Sequence, residues 1–134
     1  MKGTLRDEVW HWMRQAEEDL TTARANLDAE RFYAVSLFAQ QAAEKALKSV
    51  LIERHGRMPP RSHDLVRLGE GVGVDPGIFP ELEELSGTYA VARYPDAAPG
   101  GVPAEAIDSG AARRHLEIAE GVVAWARRQL SMAS

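Results

Sequence analysis

The 134-residue chain contains no cysteine, which excludes a disulfide framework and any thiolate metal site. Long apolar runs are also missing. Ala34 to Ala39 is typical and Ser36 interrupts it, far below the ~18–20 residues that a membrane span needs. Lys2 and Arg6 near the N-terminus are followed by charged and polar residues rather than the apolar stretch of a signal peptide. Charge of one sign is scarce: 16 basic against 20 acidic side chains gives −4, a mild acidity that argues against nonspecific coating of DNA but leaves room for a local basic cleft. Apolar content of 45% and charged content of 27% match a folded protein. The expectation is a soluble, cytoplasmic, single helical domain over residues 1–134, its core about 6–130.

What is present is helical periodicity. Val9, Met13, Ala16, Leu20, Ala23 and Leu27 recur every three or four residues and predict a helix from about Arg6 to Ala29. A second helix is predicted from Phe32 to Arg54, stopped by Gly56. Its alanines (Ala34, Ala39, Ala42, Ala43, Ala46) and apolar residues around most of the circumference make it the central helix, with small side chains permitting close approach. Pro59 and Pro60 break the chain, and Ser62 is placed to cap a short helix through Leu68 that ends in the glycines 69, 71 and 73. A helix opening at Pro80 buries Leu82, Leu85, Tyr89 and Ala92 and stops near Arg93 because Pro95 follows Tyr94. Residues 95–110 hold three prolines and three glycines and read as a connecting loop. Asp108 or Ser109 then caps a last helix to about Leu130. With no strand alternation and no repeat, the fold class is all-α, a bundle of four main helices and one short one.

No phosphate loop, dinucleotide fingerprint, HExxH or Gly-x-Ser-x-Gly occurs, and no two of the four histidines share a metal-ligand spacing on one helix face. No cofactor and no metal are expected. Three polar groups remain. Gln41, Glu44, Lys45 and Lys48 form a strip on the second helix, readable as a solvated face with a Glu44–Lys48 pair worth about 0.2–0.5 kcal/mol, or as a basic wall for phosphate. His63-Asp64-Leu65 is either helix-start chemistry or an imidazole at a cleft edge; Arg57, with five residues between it and His63, also fits an Arg-x4–6-His spacing. Arg93-Tyr94-Pro95-Asp96 is either a helix stop or a guanidinium and an aromatic plane for phosphate and nucleobase. His115, beside the apolar stripe of the last helix, reads as partly buried packing.

Phe32-Tyr33, the run Phe38-Ala39-Gln40-Gln41-Ala42-Ala43-Glu44-Lys45-Ala46-Leu47-Lys48, then His63-Asp64-Leu65 and Arg93-Tyr94-Pro95-Asp96 together resemble the HEPN (higher eukaryotes and prokaryotes nucleotide-binding) domain family. The first helix fits as well, through Trp12, Ala16, Asp19-Leu20 and Ala23, so the resemblance spans about residues 6–130. It implies a four- to five-helix up-and-down bundle that usually dimerises. Small prokaryotic members often work beside a minimal nucleotidyltransferase as toxin–antitoxin pairs, and many relatives are metal-independent RNases with an Arg-x4–6-His motif facing an inter-subunit cleft. In that setting His acts as general acid or base and Arg stabilises the charged transition state. The present chain departs from the motif, since no histidine follows Arg93 until His115, 22 positions on, and Arg57–His63 lies on a proline-bearing loop.

On this resemblance His63 and Arg93 are the candidate catalytic residues, and Gln41, Lys45, Lys48, Asp64, Tyr94 and Asp96 the candidate nucleotide- or phosphate-binding residues. Three functions follow: a nucleotide- or RNA-binding protein acting with a nucleotidyltransferase partner, a metal-independent RNase toxin, or a non-catalytic helical dimer or scaffold. A homodimer is expected because Trp10, Trp12, Phe32 and Trp125 offer more apolar surface than one small bundle covers.

Overall fold

The computed structural model describes residues 3–133, and those residues are all-α. Helix α1 (Leu5–Asp28) opens with a capping box: the Asp7 amide donates to Thr4 Oγ1 at 3.1 Å and the Thr4 amide to Asp7 Oδ2 at 3.0 Å. The reversal into α2 (Phe32–His55) passes through Glu30, whose φ of 58° is left-handed and unusual for a side chain of that length. Gly56, also left-handed, closes α2. The remaining helices are α3 (Leu65–Val72), α4 (Phe79–Ser86), α5 (Thr88–Val91), α6 (Pro103–Ala106) and α7 (Ser109–Ala133).

Side-chain ties give the directions of the long helices. Ser49 donates to the Val9 carbonyl at 2.7 Å and Arg6 pairs with Glu53, so α1 and α2 are antiparallel. Arg24–Glu120 and Glu17–Arg127 make α1 and α7 antiparallel too. Ser36 bonds His115 and Arg54 bonds Gln129, so α2 and α7 run the same way. Helix α2 is the centre of the bundle: Ala39, Ala42, Ala43, Ala46, Leu47 and Val50 are fully buried, and α1, α3 and α7 pack round it. The exposed interhelical ion pairs each add at most about 1 kcal/mol.

Several boundaries differ from expectation. Asp64, not Ser62, caps α3, its Oδ1 accepting from the amides of Val66 and Arg67; the helix continues through Gly69 and Gly71 to the left-handed Gly73. Gly69 is a packing position rather than a stop, since a Cβ there would sit 2.7 Å from Leu82 Cδ1 and 3.1 Å from Val74 Cγ2. The segment expected as one helix to Arg93 is divided at Gly87 into α4 and α5. The loop at 95–110 contains two 3₁₀ turns, opened by Pro95 and Pro99, and α6, opened by Pro103. Asp108 caps α7 through the Ala111 amide, and α7 runs to Ala133, beyond Leu130.

The aromatic surplus is smaller than the sequence suggests. Trp10, Trp12, Phe32 and Trp125 are half-buried, and a cation covers each tryptophan: Arg127 over Trp10, Lys48 over Trp12 and Arg54 over Trp125.

Candidate functional site

The polar strip of α2 is not a solvated face. Glu44 and Lys48 are buried one turn apart, with Lys48 Nζ donating to Glu44 Oε2 at 3.1 Å. Charges taken from water need further partners. Glu44 finds them in Gln40, whose Nε2 donates to Oε1 at 3.1 Å, and in His63, whose Nδ1 donates to the same oxygen at 2.9 Å. Burial is the largest influence on the Glu44 carboxyl and pushes it up, but the hydrogen bonds from His63, Gln40 and Lys48, with the Lys48 charge, outweigh it and hold the group below the ordinary carboxylate range. An ionised carboxylate only accepts, so the proton of the His63 ring lies on Nδ1 and the neutral ring keeps its lone pair on Nε2.

The loop and helix geometry aims the ring. The Leu65 amide, two residues after His63, donates to Ser86 Oγ on α4 at 3.1 Å, while Asp64 is occupied in capping α3. The imidazole is thus held between α2 and α4 with about half its side chain exposed (51%). It stacks on Tyr89, ring centroids 4.2 Å apart and planes inclined by 20°. The Arg93 guanidinium lies 4.0 Å from the same Tyr89 centroid, its Nη1 fixed by a 2.8 Å bond to the Tyr89 carbonyl. Two planar groups that close to one centroid occupy opposite faces, so Tyr89 is the filling of a His63–Tyr89–Arg93 stack. The arrangement puts a carboxylate on one ring nitrogen of His63 and a cation across the Tyr89 ring from it.

The other predicted residues are distributed around this centre. Lys45 is paired with buried Asp19 at 2.5 Å, and Gln15 donates to the second oxygen of Asp19 at 3.0 Å, so this lysine and Lys48 both spend their charge on carboxylates. Gln41 is half-buried on the same helix. Tyr94 follows Arg93 and is 49% exposed, and Asp96 is exposed in the 3₁₀ turn beyond. Arg57 lines a cavity with Met58 and Leu68 that none of His63, Tyr89 and Arg93 lines.

Three members of the centre do not stand out in the sequence as partners of His63: Glu44, Gln40 and Tyr89. Helix spacing assigns Glu44 to Lys48 alone, and apolar spacing assigns Tyr89 to a core stripe. The one signal for Glu44 is a carboxylate on the alanine-rich helix, which must have a partner wherever that helix is central. His115, by contrast, is buried on α7 and hydrogen-bonded to the fully buried Ser36 at 2.7 Å, a packing role as expected. Among the described residues no cluster of three or more His, Asp and Glu side chains is placed to hold a metal, and no helix is long and apolar enough to cross a membrane.

The class these features define is an all-helical bundle with a carboxylate-held imidazole and a stacked arginine at one edge of its central helix. The model of the HEPN domain family matches residues 9–129, nine-tenths of the chain, and the protein belongs to that family. Two solved structures are similar. TT1696 from Thermus thermophilus superposes with a TM-score of 0.82 at 28% identity, over 90% of this chain and 97% of that one. ST0689, described as an archaeal HEPN homologue, gives 0.78 at 28% identity, over 90% and 96%. Among curated proteins none matches the chain.

Proposed function

We propose that the protein binds RNA or a nucleotide at the His63–Tyr89–Arg93 edge and acts with a nucleotidyltransferase partner in a toxin–antitoxin-type module. The observation that carries the binding reading is the stack itself. It sets a guanidinium and an imidazole on the two faces of one ring, where they can meet adjacent groups of a phosphodiester chain. Because both faces of Tyr89 are already covered, a base stacks instead on the half-exposed Tyr94 ring next to Arg93. The partner and a homodimeric state rest on the family resemblance, in which two copies share one cleft.

A second reading, a metal-independent RNase, is favoured by the Glu44–His63 bond. With Nδ1 held by Glu44, Nε2 is left to take the proton of a ribose 2′-hydroxyl as it attacks the adjacent phosphorus. Arg93 then offsets the charge of the phosphorane, and the proton returns to the leaving 5′-oxygen from a protonated imidazole, on the same or a symmetry-related chain.

The test is one experiment with two readouts. A mixed RNA pool, with chelator present, is followed for binding and for cleavage with wild type, His63→Ala and Arg93→Ala. Binding that falls in Arg93→Ala without cleavage supports the first reading. Cleavage abolished by both substitutions supports the second. RNA neither bound nor cut overturns both and leaves the helical scaffold. Light scattering that finds a monomer at high concentration removes the shared-cleft element.

A further inference from the structure

At the far end of α2 a cavity of about 320 Å³ opens between α3 and the loop that follows Gly56. None of Glu44, His63, Tyr89 and Arg93 lines it, so it is separate from the edge described above. Its floor reaches the core through Leu51 and Leu68, both buried, and Met58 overhangs it half exposed. Pro59 and Pro60 form one wall, stiff because their φ angles are fixed.

The rim carries His55, Arg57 and Arg67, and no carboxylate lines the cavity. In a chain with 20 acidic against 16 basic side chains, that is a local inversion of the overall charge. Arg6, Arg24, Arg114 and Arg127 each pair with a glutamate at 2.7–2.8 Å, whereas the guanidiniums of Arg57 and Arg67 make no ion pair or hydrogen bond among the described residues. The C-terminus of α2 nearby contributes only about half a negative charge, less than the two fixed positive ones.

We propose that this cavity binds a small organic anion, its phosphate or carboxylate head between Arg57 and Arg67 and its apolar ring or chain against Leu51, Met58 and Leu68. Guanidinium forks match either head bidentately. The volume lies at the lower end of the range of small-molecule sites. The apolar floor requires a body beyond the head, so inorganic phosphate alone is a poor occupant.

The probes are phenyl phosphate, benzoate and inorganic phosphate, titrated into the intact chain by calorimetry and by methyl NMR. Saturable 1:1 binding of phenyl phosphate or benzoate is expected, with inorganic phosphate at least about tenfold weaker. The better of the two aromatic probes identifies the head group. Methyl shifts should centre on Leu51, Met58 and Leu68, a readout on wild type that needs no variant. The double substitution Arg57→Gln/Arg67→Gln should weaken binding by about tenfold or more, and Arg113→Gln, at an exposed arginine that does not line the cavity, should leave it unchanged. No saturation by any probe, binding that survives the double substitution, or binding lost in Arg113→Gln overturns the proposal.

Discussion

Glu44 and His63, 19 residues apart in the chain, are joined by a 2.9 Å hydrogen bond between a buried carboxylate and a half-exposed ring. The bond orients a loop histidine and ties it to the central helix. Its loss should therefore be felt in two measurements, pH-dependent stability and activity.

Glu44 ionises more readily in the folded chain than its ordinary value of 4.5. Its contribution to stability is therefore complete above that pH and is lost as the pH falls through the lower, folded value. Melting temperature followed downward from about pH 6 should drop more steeply in wild type than in Glu44→Gln. Glu44→Gln keeps an oxygen for His63 but loses the charge, so any RNA cleavage should fall while the fold persists at neutral pH. Equal acid sensitivity in both proteins would contradict the assignment.

Lys48 shares Glu44 and the face of Trp12. Lys48→Met leaves a buried carboxylate short of its cation and should cost about 3 kcal/mol in urea unfolding. The double substitution Lys48→Met/Glu44→Leu should recover a large part of that loss, because no unpaired charge stays buried. Additive losses in the two single variants would argue against a paired site.

His115 behaves in the opposite sense to a paired histidine. Burial, the largest influence, lowers its affinity for the proton, with Arg114 adding and Glu84 opposing. The neutral ring is the form the fold accepts, so its stabilisation is present above about 6.5 and is lost as the pH falls below that value towards the folded one. Wild type should lose melting temperature on acidification in that window, and His115→Gln should show a flatter profile. This loss sets in at about 6.5, above the 4.5 at which that of Glu44 sets in, so the two onsets are separable in one titration.

Two helical glycines should respond with opposite signs. Gly69→Ala forces a Cβ to 2.7 Å from Leu82 and should destabilise by about 1–3 kcal/mol. Gly121 lies inside α7 with nothing within 4 Å of a Cβ, so Gly121→Ala should stabilise by about 0.4–1 kcal/mol. Thermal unfolding of the two variants against wild type decides both.

Sequence alone determined what repeats locally. Apolar spacing of three and four residues set α1, α2 and α7, because a helix buries one stripe and the pattern must follow its 3.6-residue turn. The alanines of α2 marked it as central for the same kind of reason, since only small side chains let three neighbours close on one helix. The order of the polar motifs was enough to place the chain near the HEPN family. The breaks were less legible. Gly69 has the look of a stop because its use is to admit Leu82, a contact 13 residues away; Gly87 divides a segment whose apolar stripe carries through to Arg93.

Only the tertiary structure decided the partners. Glu44 could satisfy Lys48 on helix spacing, and nothing local said that His63 would close on it. Tyr89 has the spacing of a core residue, yet the exit of α5 places Arg93 and His63 on its two faces. Lys45 reads as free positive charge until Asp19 of α1 is brought against it. Periodicity is a property of the chain and survives in one dimension. Neutralising a buried charge requires groups from different helices, and their distances exist only once the bundle has closed.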